Sequence, residues 1–157
     1  MSETTRLADQ IHRAFAGEAW HGDSILELLK GIDAETASAH PIKAAHSIWE
    51  LVLHIAAWDG AVRKRAGGVA VELRDEQNFP PVQDKSEGAW RKAIEHLNRT
   101  HDELVKAVAA FPDSRLDEQV PGKTESYHNF FYMFSGIVQH ELYHAGQIAL
   151  LKKAQTR

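Results

Sequence analysis

His140 and His144 stand four residues apart in a stretch that reads as helix. Side chains at that spacing share one helix face, with Cβ atoms about 5–6 Å apart. Two imidazoles so placed can converge on one ion at metal–nitrogen distances of about 2.0–2.1 Å. The setting strengthens this reading. Phe130, Met133, Ile137, His140, His144, Ile148 and Leu151 recur at steps of three or four and form one apolar stripe that both histidines interrupt. A buried imidazole needs a partner for each ring nitrogen. A metal ion satisfies two such nitrogens at once and leaves the outer two to nearby acceptors. The competing reading is a pair of core histidines bonded to Tyr or carboxylate neighbours.

The same five residues, His140-Glu141-Leu142-Tyr143-His144, spell H-E-x-x-H, the zinc-protease pattern. Those enzymes need a third ligand downstream, and no His, Glu or Asp follows His144. The extended pattern fails as well, because Gln147 and Leu150 stand where it needs Gly and His. Glu141 with His144 is also the Glu-x-x-His half of a di-iron bundle, which needs a second copy mid-helix elsewhere. Leu51, Ala93 and Asn98 stand three residues before His54, His96 and His101, so none of these supplies it. Glu18 with His21 falls at a frayed helix end, and Glu125 with His128 at the start of the last helix itself.

A third ligand must therefore come from an upstream helix. His54, flanked by Leu51, Ile55 and Trp58, and His101, which interrupts another core stripe, are nearly equal on spacing. His46 lies two turns before His54, placed to line the same cavity; the roles of His46 and His101 stay open. His12, His21, His40, His96 and His128 read as surface, loop or helix-end residues.

The chain has 157 residues, enough for one domain over 1–157 with a substantial core. Its 43% hydrophobic and 25% charged content is that of a folded globular protein. A net charge of −4, with no basic run longer than Arg63-Lys64-Arg65, argues against a nucleic-acid partner. The absence of cysteine excludes disulfides, thiolate ligands and cysteine nucleophiles. The first residues lack an apolar signal region and no apolar run is long enough to span a bilayer, so a cytoplasmic protein without membrane contact is expected.

Helical periodicity dominates the chain, and no strand pair with a hairpin turn is evident. A first helix is expected over about residues 4–20, then a short one after Asp23 as N-cap, ending near Gly31. A second long helix runs to about Ala66, starting at Pro41 or at a Ser47/Glu50 capping box. Residues 67–83 carry two glycines and two prolines without helical period. That is too long for a tight helix hairpin and reads as a crossover along a bundle. A third helix opens at Asp84 or Ser86, with Glu87 placed to close a capping box on Asp84, and runs to Phe111. The last, capped by Ser126, extends to about Lys153. Four long helices and one short one predict an all-α four-helix bundle. The last helix carries a second apolar stripe, Phe131, Phe134, Val138, Leu142 and Ala149, so it is either central or part of a homodimer contact.

Three segments carry a resemblance. His46 to Trp58 (HSIWELVLHIAAW), the closing HELYHAGQI from His140 to Ile148, and Trp20 to Leu29 (WHGDSILELL) are together similar to the signatures of the DinB-like (YfiT-type) superfamily, in order and spacing across nearly the whole chain. The resemblance implies an up-down-down-up four-helix bundle and a three-histidine metal site of His54, His140 and His144. It also implies kinship with thiol S-transferases that use bacillithiol or mycothiol and with a maleylpyruvate isomerase. Three neutral imidazoles leave a coordination position open, the layout of a catalytic zinc site. Imidazole suits several ions; one divalent transition metal, Zn or Ni before Fe, is expected. An open site lowers the pKa of bound water or thiol, and with no protein cysteine the thiol must be a low-molecular-weight cosubstrate. Glu141, one residue from a proposed ligand, is the candidate general base or ligand orienter, or else a solvated helix residue. Glu50 and Asp59 read as surface charges or as outer acceptors. The expected function is metal-dependent thiol transfer or hydrolysis on a small molecule. The alternative is a non-catalytic metal-binding or stress-related interaction bundle.

Overall fold

The computed structural model describes residues 1–156. Its helices are α1 (Glu3–Phe15), α2 (Ile25–Leu29), α3 (Ala34–Ser38), α4 (Ile48–Ala66), α5 (Glu87–Ala109) and α6 (Phe130–Gln155), with single 3-10 turns at Asp75–Gln77 and Asp113–Arg115. Among the described residues there is no strand, only an isolated bridge between Gln119 and Asn129.

Side-chain pairs set the helix directions. Trp49 meets Trp90, Asp59 meets His101 and Arg63 meets Glu103, so α4 and α5 run parallel. Thr4 bonds Asp113 while Phe15 stacks on His101, so α1 opposes α5. His144 lies against His54 and His140 against Trp58, so α6 opposes α4. The order is up-down-down-up, as expected. Two parallel neighbours demand a return over the full length of α4, whose 19 residues span about 28 Å at the helical rise. The 67–86 crossover supplies it.

Local chemistry explains where the helix ends depart from expectation. α1 stops at Phe15, short of the predicted residue 20, because Gly17 follows; Trp20 beyond it lies fully exposed. Two short helices occur where one was expected; α3 is too brief to show a period and is set by Asp33, whose carboxylate accepts the Thr36 N–H at 2.8 Å. Ser24, not Asp23, caps α2, through a box with Glu27. Of the two proposed starts for α4, the Ser47/Glu50 box is the one formed, with the Ser47 N–H donating to Glu50 at 2.7 Å. Ser86 caps α5; Glu87, expected to close a box on Asp84, instead accepts the Ala34 N–H at 2.7 Å and so caps α3 from across the bundle. Asn129, not Ser126, caps α6.

The interior divides into two apolar clusters. One gathers Ile25, Ile48, Leu51, Ile55, Leu97 and Ile148; the other gathers Ile11, Val62, Leu104, Phe130, Phe134 and Ile137. Each fully buried side chain of this kind stabilises the fold by about 1.5–3 kcal/mol. In α4, α5 and α6 the stretch between the clusters holds Asp59, His101 and Glu141, all essentially unexposed. A layer of buried charge-bearing groups thus crosses the middle of the bundle. Of the second stripe on α6, Phe134 is buried, Val138, Leu142 and Ala149 are half-buried and Phe131 is exposed. No helix is long and apolar enough to cross a membrane.

Candidate metal centre

Helix phase brings the three predicted ligands together. His54 lies on the α4 flank facing α6, and His140 and His144, one turn apart, answer it from α6. Nε2 of His140 lies 3.0 Å from Nε2 of His54 and 3.1 Å from Nε2 of His144. Two nitrogens bound to one ion at about 2.0–2.1 Å with tetrahedral angles stand roughly 3.3 Å apart, so the observed spacing is close to that of a ligand set.

The outer nitrogens decide which way the lone pairs point. Nδ1 of His54 donates to the Asn78 carbonyl at 2.7 Å, and Nδ1 of His144 donates to Oε1 of Gln147 at 2.6 Å. With the proton on Nδ1, each Nε2 is left bare and aimed at the common point. Nδ1 of His140 is buried without a hydrogen-bond partner. Burial, reinforced by His144 and His54, pushes His140 down to about 3. Burial likewise lowers His54 and His144. All three rings are therefore neutral at pH 7, the protonation state a metal requires.

The crossover forms one wall. Phe79 stacks on His54 at 4.0 Å and 6°, and its other partner is His46, stacked at 3.9 Å and 10°. Trp58 Nε1 donates to Oδ1 of Asn78 at 2.9 Å, which steadies the segment whose carbonyl holds His54. Arg65 donates twice to the Val71 carbonyl, fixing the start of the crossover. Trp58 borders the site, while Trp49 and Phe130 are core residues. Glu50 completes the Ser47 box and also meets His40 and His46, a set of contacts that outweighs the effect of burial and lowers its pKa.

His101, the competing ligand on spacing, is not in this group. It lies at the bundle centre with Asp59 and Glu141, its Nδ1 3.4 Å from Oδ2 of Asp59 and 3.2 Å from Oε1 of Glu141, its ring stacked on Phe15. Glu141, expected beside the ligands or in solvent, has no exposed surface and is directed at His101. Asp59, expected as a surface charge or outer acceptor, is equally buried. Burial raises the Asp59 carboxyl and pushes Glu141 up to about 8, His101 opposing in both cases. Burial alone would lower His101, but its contacts with Asp59 and Glu141 hold it at about 9. Sequence reasoning missed this cluster although its signal was present: each of the three residues sits in the apolar register of its own helix.

An all-helical bundle with three histidines converging between two of its helices has the layout of a candidate metal site. A model of the DinB superfamily matches residues 19–148, and the chain belongs to that superfamily. Neither a curated protein nor a solved structure matches the chain.

Proposed function

We propose that this protein is a metal-dependent enzyme that acts on a small molecule, with His54, His140 and His144 holding one divalent transition ion. The observation that carries the reading is the convergence of three Nε2 atoms, two of them made bare by fixed hydrogen bonds on the opposite ring nitrogen. The fit of an ion is supported by His140, whose half-buried ring has a buried, partnerless Nδ1 and only imidazoles around its Nε2. When bound, the ion supplies Lewis acidity, lowering the pKa of a thiol or water at its open position. Thiol transfer or hydrolysis is the reaction class this favours.

The protein's own residues orient and shield. Asn78, Phe79 and Trp58 lock the His54 ring, and Gln147 locks His144. A surface cavity of about 850 Å³ has His140 in its wall beside Tyr127, Tyr132, Gln139 and Tyr143. Its aromatic faces and amide suit a small organic substrate with polar groups. We give Glu141 no proton-transfer role, since it is turned from this cavity into the bundle.

Metal analysis of protein purified without an affinity tag tests the proposal. At least one equivalent of transition metal per chain is expected, with one equivalent lost in His144→Ala. A screen of electrophilic small molecules with low-molecular-weight thiols, run on wild type and His144→Ala, tests the reaction class. Substoichiometric metal after reconstitution, or turnover unaffected by His144→Ala, would overturn the reading.

A further inference from the structure

We infer that Asp59, His101 and Glu141 form a second, internal divalent-cation site, distinct from the three-histidine group and closed to solvent. The three side chains come from α4, α5 and α6, each has 0% exposure, and their ligand atoms lie within 4.8 Å of one another. Among the described residues, both oxygens of Asp59, both of Glu141 and both ring nitrogens of His101 are buried without a hydrogen-bond partner. Nδ1 of His101, Oδ2 of Asp59 and Oε1 of Glu141 meet only through two long contacts, and the other three atoms have no polar partner, far from the usual satisfaction of buried polar groups.

A proton does not resolve the arrangement. The Nδ1–H of an imidazolium lies in the ring plane and forms one near-linear bond, with charge-assisted contacts at about 2.7–2.9 Å. Here Nδ1 faces two carboxylates at once, 3.2 Å from Glu141 and 3.4 Å from Asp59. A cation about 2.1 Å from each donor, with angles of roughly 90–110°, separates donors by roughly 3.0–3.4 Å, and both contacts match that window. The charges close as well. Two carboxylates neutralise a dication, so the loaded cluster is neutral where net charge is costly. No cationic side chain other than His101 pairs with Asp59 or Glu141 among the described residues.

The donor set also specifies chemistry. One imidazole and up to four carboxylate oxygens favour Mn, Fe or Zn ions over soft ones. With every donor from the protein and no exposed edge, the site's role is structural: the ion ties α4, α5 and α6 at the level where the apolar clusters part. Enclosure implies that loading accompanies folding.

The test uses the full chain, unfolded with chelator and refolded with excess Mn(II) or Zn(II). Bound metal is counted after gel filtration, with Mn(II) followed by electron paramagnetic resonance. Wild type should retain two equivalents, His54→Ala/His140→Ala/His144→Ala one, and Asp59→Asn/Glu141→Gln one. One equivalent or fewer in wild type would overturn the second site whether or not any variant folds. So would two equivalents in folded Asp59→Asn/Glu141→Gln, which would place the extra ion elsewhere. Loss confined to the triple-histidine variant would uphold the three-histidine reading while sinking this one.

Discussion

Phe79→Ala tests whether the crossover, and not only the helices, holds the ligand set. Phe79 lies face to face with His54 at 4.0 Å and with His46 at 3.9 Å. Only the first stack bears on the proposed metal. An aromatic pair of this kind contributes about 0.5–1.5 kcal/mol, which corresponds to about 2–12-fold in a dissociation constant. The Asn78 carbonyl still accepts from His54 Nδ1 in the variant, so the ring keeps its tautomer and loses rotational restraint. Opening that face also wets the imidazole and relieves the burial that lowers its pKa. Phe79→Ala is thus expected to raise the Zn(II) dissociation constant about 2–12-fold, measured by competition with a chromophoric chelator, and to shift metal release to higher pH. His46→Ala strips only the far face and should stay within about twofold. A dissociation constant for folded Phe79→Ala indistinguishable from wild type would refute the argument that the crossover orients the ligand.

Two further outcomes follow from protonation and capping. His140 is held near 3 against an ordinary value of 6.5, so below pH 6.5 the unfolded chain takes up a proton that the folded chain refuses. Its contribution is present above pH 6.5 and is lost toward pH 3. Metal-free wild type should lose stability relative to His140→Ala by up to about 1.4 kcal/mol per pH unit as pH falls, and urea unfolding at pH 7, 6 and 5 would show a constant difference if this is wrong. Ser47→Ala removes the oxygen that accepts the Glu50 N–H at 3.2 Å; a cost of about 1 kcal/mol, or roughly 2–4 °C in Tm, is expected with zinc affinity unchanged.

What the sequence discloses depends on how far apart the interacting residues lie. The i, i+4 pair His140 and His144 and the box of Ser47 with Glu50 are local, and both are legible because a helix sets their geometry without help from the rest of the chain. The choice of His54 over His101 is not local. It depends on which flank of α4 and α5 faces α6; only the family resemblance favoured His54 beforehand, and the structure places His54, not His101, beside His140 and His144. Glu87 shows the same limit: a residue with the type and spacing for a box on Asp84 found a better-placed donor on α3, 53 positions away. Asn78 was invisible for another reason, since its backbone carbonyl does the work and every residue has one. The buried Asp59, by contrast, was legible in principle. It lies in the stripe of Ile55 and Val62, and a carboxylate there needed the explanation that was sought for His140 and His144.

The phase of α6 decides which chemistry H-E-x-x-H performs. In the zinc-protease pattern the glutamate works beside the metal, and nothing in the five residues forbids that here. The constraint comes from the rest of the helix. Phe134, Ile137, Ala145 and Ile148 are buried, and they share the inward arc with Glu141. Turning α6 far enough to bring Glu141 to the three histidines would carry that arc toward solvent, and each large side chain exposed costs about 1.5–3 kcal/mol. Exposing several of them together outweighs what one carboxylate, already in contact with His101, gains by reaching water. The apolar majority therefore fixes the rotation, putting His140 and His144 on the flank toward α4 and driving Glu141 into the centre with Asp59 and His101. Two neighbouring residues on one helix are thereby committed to two different buried polar groups. The chemistry available to each follows from the packing of residues that take no part in it.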